Sequence, residues 1–241
     1  MKKLTSIMMT IAVVLFFSGS AFATSMQDIL NDITVGQDSD VNAAEDMIDD
    51  SSDSYWRTTA TGGSFNVVVY ENANATYNQN TTFGVYNDGV YVELFDAGNV
   101  NVGHATTLEI MADGSVFVGL NDTGVDFNST SFGYYLDSSY YANGGLWHSD
   151  TALNSDGVDH MLAYAGKGVQ QVQIPPRAAG TWTDNEYILG FEDYKGGEQL
   201  RGPDFVVMVE SVEPVPEPAT LILFGSGLLG LCVYARKRRK N

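Results

Sequence analysis

The last 28 residues, Pro214 to Asn241, most limit what this chain can become. Pro216-Glu217-Pro218 leads into Ala219 to Ala235, 17 residues without a charge, and then into Arg236, Lys237, Arg238, Arg239 and Lys240. Each proline lacks an amide donor and biases its predecessor to extended backbone, so a helix cannot run backwards through this hinge. The apolar run sits at the short end of what spans roughly 30 Å of hydrocarbon. Five cations directly after it belong on the cytoplasmic side, which places everything before Pro216 outside. The expectation is a single C-terminal transmembrane helix that serves as an address.

Proline-glutamate-proline, a short glycine-rich apolar helix and a basic terminus, in that order, resemble the PEP-CTERM sorting signal of Gram-negative bacteria. The resemblance implies an inner-membrane intermediate and an exosortase-type membrane protease that cleaves near the motif. The product would pass to the cell surface or the exopolysaccharide matrix. An ordinary tail anchor, never cut, is the alternative, since cation-flanked apolar spans are common. Gly225-Ser226-Gly227-Leu228-Leu229-Gly230 spells a dinucleotide fingerprint, but that motif needs a soluble strand and helix around it and an acid about 20 residues on. Here the chain ends first, and close helix packing explains the glycines.

At the other end, Lys2 and Lys3 precede an apolar stretch from Ile7 to Phe17, followed by Ala21-Phe22-Ala23. This is the pattern of a signal peptide cut by signal peptidase at Ala21 and Ala23. Removing both ends leaves about 193 residues, enough for one well-buried domain. Between Thr24 and Pro216 stand 5 basic and 29 acidic residues, a net charge of −24. Such a polyanion excludes nucleic acid, whose affinity comes from Lys and Arg displacing counterions. It favours solubility and divalent cations instead. The one cysteine, Cys232, lies in the apolar span, so thiolate metal sites and cysteine nucleophiles are excluded from the exported part.

The segment 1–23 is thus read as signal peptide and 24–62 as an acidic, partly flexible leader. Residues 63–213 are read as the β domain and 214–241 as the sorting tail. Ser25 with Asp28 three residues on matches a capping box and predicts a short helix through Ile33. From Asp38 to Asp53 the chain is acidic and poor in large apolar residues, which predicts a mobile segment. Asp38-x-Asp40-x-Asn42 resembles half of a calcium loop. Ala43 stands where such a loop needs glycine and Asp49 where it needs glutamate, so a solvated acidic stretch is the better reading.

From Gly63 onward the signals are β. Phe65–Tyr70 is rich in β-branched and aromatic residues, and Val90, Val92 and Leu94 alternate with Tyr91, Glu93 and Phe95. Asn87-Asp88-Gly89 and Ala112-Asp113-Gly114 each join two apolar runs, a hairpin signal. Further candidate strands are 132–136, 159–164, 169–174, 186–191 and 205–209. The prediction is an all-β, jelly-roll-like antiparallel β-sandwich of about nine strands.

A second resemblance covers about 83–212. Phe132-Gly133-Tyr134-Tyr135-Leu136, Leu146-Trp147-His148-Ser149-Asp150 and the run from Leu153 to His160 carry it. So do Tyr187-Ile188-Leu189-Gly190-Phe191-Glu192-Asp193 and Asp204-Phe205-Val206-Val207. Together they resemble the domain of unknown function number four-one-one-four, which recurs in PEP-CTERM proteins and bacterial adhesins. That family closes on Glu-Asp, a glycine-rich turn and several aspartates. This resemblance implies a calcium site at Glu192, Asp193 and Asp204, since a hard cation takes six to eight oxygens. Gln199 to Pro203 occupy the stretch where more aspartates would stand. Either the site is weakened, or Arg201 replaces the ion by pairing with a carboxylate. Asp150, Asp156 and Asp159 are candidate extra ligands.

Enzyme readings have less behind them. No G-x-S-x-G and no H-E-x-x-H occurs. His160, beside a strand, reads as a hydrogen-bonded structural histidine. Tyr134, Tyr135, Tyr140, Tyr141 and Trp147 could stack on sugars, although packing is the commoner role of strand aromatics. The sequence thus predicts an exported, non-catalytic structural or adhesive protein of the surface or biofilm matrix, with calcium as its one candidate cofactor. A secreted polysaccharide-active hydrolase using two carboxylates, or a permanently anchored surface protein, is the alternative.

Overall fold

The computed structural model describes residues 24–61, 63–71, 80–196 and 202–216. Two antiparallel sheets face each other. The first contains β1 (Trp56–Thr58), β3 (Thr82–Asn87), β4 (Val90–Asp96), β8 (Ser131–Asp137), β9 (Leu146–His148) and β15 (Val212–Pro214). Its order is β15-β1-β8-β3-β4, with β9 sharing β8. The second runs β10-β13-β14-β2-β5-β6-β7. Its strands are β2 (Ser64–Glu71), β5 (Ala105–Ile110), β6 (Ser115–Val118), β7 (Asn121–Asp126), β10 (Met161–Ala165), β13 (Glu186–Phe191) and β14 (Phe205–Glu210). A two-stranded ribbon, β11 (Gln171–Val172) with β12 (Gly180–Thr181), stands apart.

Hydrophobic faces explain why the sheets meet. Phe83, Val85, Phe132, Tyr134 and Leu136 of the first sheet share one buried cluster with Val68, Leu189, Phe191, Phe205 and Val207 of the second. Phe83 stands at its centre, with ring centroids 5.5 to 6.2 Å from Phe205, Phe191, Tyr134 and Phe95. The Asp88-Gly89 turn between β3 and β4 has both residues at positive φ, 50° and 78°, the two-residue hairpin geometry that the sequence predicts. On the outer face of the first sheet Tyr86 lies over Gly133, where an added Cβ would come within 2.3 Å of its ring.

The antiparallel sandwich and the predicted helix are both present. The helix α1 (Met26–Ile33) opens on the Ser25/Asp28 capping box. Its Met26, Ile29, Leu30 and Ile33 cover the outer face of the second sheet, against Val69, Leu162, Ile188 and Val206. About nine strands is too few: the described residues hold fifteen. The missed ones are too short to show an alternation, as β1, β9, β12 and β15, or polar and poor in strand formers, as β7 with Asn121, Asp122 and Asp126. Conversely, only Gln171–Val172 of the predicted 169–174 strand forms one.

The acidic stretch 38–53 is anchored despite its composition. Val41 and Ala43 are buried, Tyr164 donates to the Ala43 carbonyl, and Lys167 pairs with Asp46. A second helix, α2 (Asp50–Asp53), ends it with Asp53 inside. The predicted signal peptide, and all of the tail after Pro216, lie outside the described residues. No helix among the described residues is long and apolar enough to cross a membrane.

Candidate functional site

The site forms where β13 gives way to β14. The β13 ladder ends at Phe191, paired with Phe205, so Glu192 and Asp193 already belong to the connecting loop. Neighbouring residues on a strand point to opposite faces, but that alternation no longer binds these two. Asp204 precedes Phe205, and its amide donates to the Phe191 carbonyl at 2.8 Å. The result is convergence: one carboxylate oxygen from each of Glu192, Asp193 and Asp204 lies within 4.8 Å of the others. Among the described residues this is the one such group of three.

The peptide units beneath these carboxylates are fixed from three directions. Trp147 Nε1 and Ser138 Oγ both donate to the Asp193 carbonyl, at 2.9 and 2.7 Å. His160 Nδ1 lies 3.1 Å from the Glu192 carbonyl, and the Glu192 amide donates to the His160 carbonyl at 3.0 Å. The Asp193 amide reaches Asp204 Oδ2 at 3.3 Å. Further along, the Lys195 amide donates to the Asn143 carbonyl and the Gly196 amide to Asp156 Oδ2. Asp193 is buried and the other two are half-buried.

Burial and mutual repulsion set the electrostatics. Loss of hydration pushes the Glu192 carboxyl well above its ordinary range, and the hydrogen bond and charge of Asp204 push it further. Asp193 moves the same way, from burial first and Asp204 second. Without a cation, burial and repulsion favour the protonated forms of Glu192 and Asp193. With a divalent cation, three oxygens at this spacing supply part of a hard-metal shell. Glu192, Asp193 and Asp204 are thus placed together, and the residues fit an oxygen-ligated ion.

The other candidates go elsewhere. Asp150 Oδ1 caps a 3-10 turn at Ala152, and its Oδ2 accepts from the Tyr55 hydroxyl. Asp156 holds Val158, His160 and Gly196, and Asp159 Oδ1 accepts from the Met161 amide. None of these aspartates belongs to the group of three. Asp38 and Asp40 belong to no such group of acids and histidines either. Arg201 lies outside the described residues. Of the aromatics, Tyr134, Tyr135 and Trp147 are buried, whereas Tyr140 is 73% exposed.

His160 is a hydrogen-bonded interior residue, and sequence reasoning missed that it holds the site. So do Trp147 and Ser138. The signal was the adjacency of Asp156 and His160, four apart in a loop, where a carboxylate can reach an imidazole.

Of the sorting motif, Pro216 is described: it is exposed, one residue after Val215, whose amide donates to the Tyr55 carbonyl at 2.7 Å. Glu217, Pro218, Arg236, Lys237, Arg238, Arg239 and Lys240 lie outside the described residues, as do Ala21 and Ala23.

Residues 214–239 match the family model of the PEP-CTERM protein-sorting motif. That motif marks an exported cell-surface protein handled by an exosortase-type processing partner. No curated protein and no solved structure matches the chain. The likeness of 83–212 to the domain of unknown function four-one-one-four is not confirmed by any match.

Proposed function

We propose that this protein is a non-catalytic structural or adhesive component of the cell surface or exopolysaccharide matrix, in which Glu192, Asp193 and Asp204 bind calcium and lock the β13–β14 connection. The observation that carries the reading is the convergence of three carboxylates within 4.8 Å on a loop pinned by buried side chains. Repulsion among them is relieved by protons or by a cation, and an extracellular compartment supplies calcium at concentrations that suit weak oxygen sites, with Kd around 10⁻⁴ to 10⁻³ M. Processing within the PEP-CTERM tail would leave the sandwich whole, since the β1–β15 ladder, Trp56 opposite Pro214, closes before Pro216. The surface charge supports a soluble, calcium-responsive product.

Calorimetric titration of the full-length chain with calcium tests this. The expected result is one saturable site that is lost in a variant combining Glu192→Gln, Asp193→Asn and Asp204→Asn. Native protein that takes up no calcium at millimolar concentration would sink the reading. Turnover of a polysaccharide, abolished by the same substitutions, would favour a hydrolase instead.

A further inference from the structure

We infer that Asp156 is a positioning residue for the Glu192–Asp193–Asp204 site, acting through His160; this rests on the calcium reading above. One carboxylate oxygen holds both ends of the loop that carries two of the three ligands. Asp156 Oδ2 accepts from the Gly196 amide at 2.9 Å and lies 3.1 Å from His160 Nε2. His160 Nδ1, on the far side of the ring, lies 3.1 Å from the Glu192 carbonyl. The loop from Glu192 to Gly196 is therefore closed by a two-residue bridge, from the carbonyl at its start to the amide at its end.

The bridge is itself immobilised. Asp156 Oδ1 accepts from the Val158 amide at 3.1 Å, which fixes the carboxylate plane. His160 is fully buried, and its ring stacks on Trp147 with centroids 3.8 Å apart and 7° between the planes. Trp147 in turn donates to the Asp193 carbonyl, so the same stack reaches both ligand-bearing peptide units. The Asp156 carboxyl is held below its ordinary range: burial opposes this, but the Gly196 and Val158 amides and the His160 side chain outweigh it.

Neither Asp156 nor His160 adds an atom to the group of three. What they supply is geometry. A loop just past a strand end is where local opening is easiest, and three mutually repelling carboxylates would drive it open. Groups that orient metal ligands without touching the metal typically matter about 10–100-fold in affinity.

The experiment is calcium titration of the full-length chain, native and Asp156→Ala, with terbium luminescence excited through Trp147 as a second readout. The expected result is one site in both proteins, with affinity about 10–100-fold weaker in the variant. Asp156→Asn, which keeps an acceptor oxygen, should recover most of the loss. A merely structural role would lower the melting temperature of the calcium-free protein and leave affinity and terbium emission unchanged. Native protein that binds while Asp156→Ala binds within twofold overturns the proposal and spares the calcium reading. Native protein that binds nothing overturns both. Should Asp156→Ala fail to fold, His160→Gln decides, and affinity within twofold of native in that variant overturns the proposal.

Discussion

Among the described residues, two places hold carboxyl groups that burial pushes well above their ordinary range, and they do so on different terms. At the β13–β14 connection, Glu192, Asp193 and Asp204 meet within 4.8 Å, on peptide units tied down by Trp147, Ser138 and His160. At the end of α2, Asp53 is 2% exposed, beneath a surface carrying Asp49, Asp50 and Asp159. Those three act on it through their charge, and no group of three ligand atoms forms there among the described residues. Desolvation, helped by those charges, pushes Asp53 up to about 9. Both places therefore favour the protonated carboxyl, but only one has the geometry to exchange the proton for an ion. Buried acid alone is a strain on the fold; convergence turns it into a candidate site.

The largest expected effect separates them directly. Saturating calcium at about 100 times Kd stabilises a protein by about 2.7 kcal/mol. For a domain of this size that is a rise of roughly 5–10 °C in melting temperature. The combined Glu192→Gln, Asp193→Asn, Asp204→Asn variant should lose the whole rise, and Asp53→Asn should keep it. A rise that survives the triple variant, or disappears with Asp53→Asn, breaks the distinction.

pH gives the next effect. Glu192, Asp193 and Asp53 all have carboxyls raised in the folded state. The stability they confer is full below the ordinary carboxylate range and is lost as pH rises through their folded values. The calcium-free protein should therefore weaken steadily from about pH 4.5 to 9 in denaturant melts. Calcium should remove the share of the triad and leave the share of Asp53. In Asp53→Asn with calcium, the slope should be the shallowest, with only the upward shifts of Glu71, Glu93 and Glu210 left to sustain it. A calcium-free protein whose stability climbs through that window would contradict the burial argument for both places.

Much of the frame was legible because it rests on local chemistry. Asp88-Gly89 announces its hairpin through positive φ, and Ser25 with Asp28 announces α1, since both signals need only adjacent residues. Glu192, Asp193 and Asp204 were legible as a set through a family resemblance that no match confirms. Their convergence is a long-range fact, fixed by the Phe191–Phe205 pairing. Glu192 and Asp193 can face one point because the strand β13 stops at Phe191, so the alternation of a strand does not separate them. Composition does not announce the contacts of residues 38–53, because the anchors that reach them, Tyr164 and Lys167, lie more than 100 positions away. Asp53 was hidden for the same reason: nothing beside an aspartate in an acidic run says that it turns inward.

Smaller effects sharpen how the first place is held. Trp147→Phe keeps the ring stacked on His160 but removes the Nε1 donor to the Asp193 carbonyl. Ser138 still donates to that oxygen, so no buried carbonyl is orphaned; the lost bond should cost near 1 kcal/mol in denaturant melts, and the volume lost at a buried indole adds to it. Ser138→Ala also removes the acceptor of the Gly145 amide, so its cost adds that unsatisfied donor to the lost bond. Removing both should cost more than the sum, because the carbonyl is then unsatisfied. Simple additivity in that double-mutant cycle would mean that water replaces the donors and that the loop is more open than its hydrogen bonds imply.

The smallest expected effect lies in the other acidic stretch. Asp38 and Asp40 stand in a loop-like pattern without the required glycine, and neither joins the group of three. Asp38→Ala should shift stability by less than about 0.5 kcal/mol, as most exposed substitutions do. It should also leave the calcium titration unchanged in stoichiometry and affinity. A second calcium equivalent that disappears with Asp38→Ala would show that a carboxylate need not be buried or pinned to hold an ion in this protein. The contrast between the triad and the rest of its acidic surface would then fail.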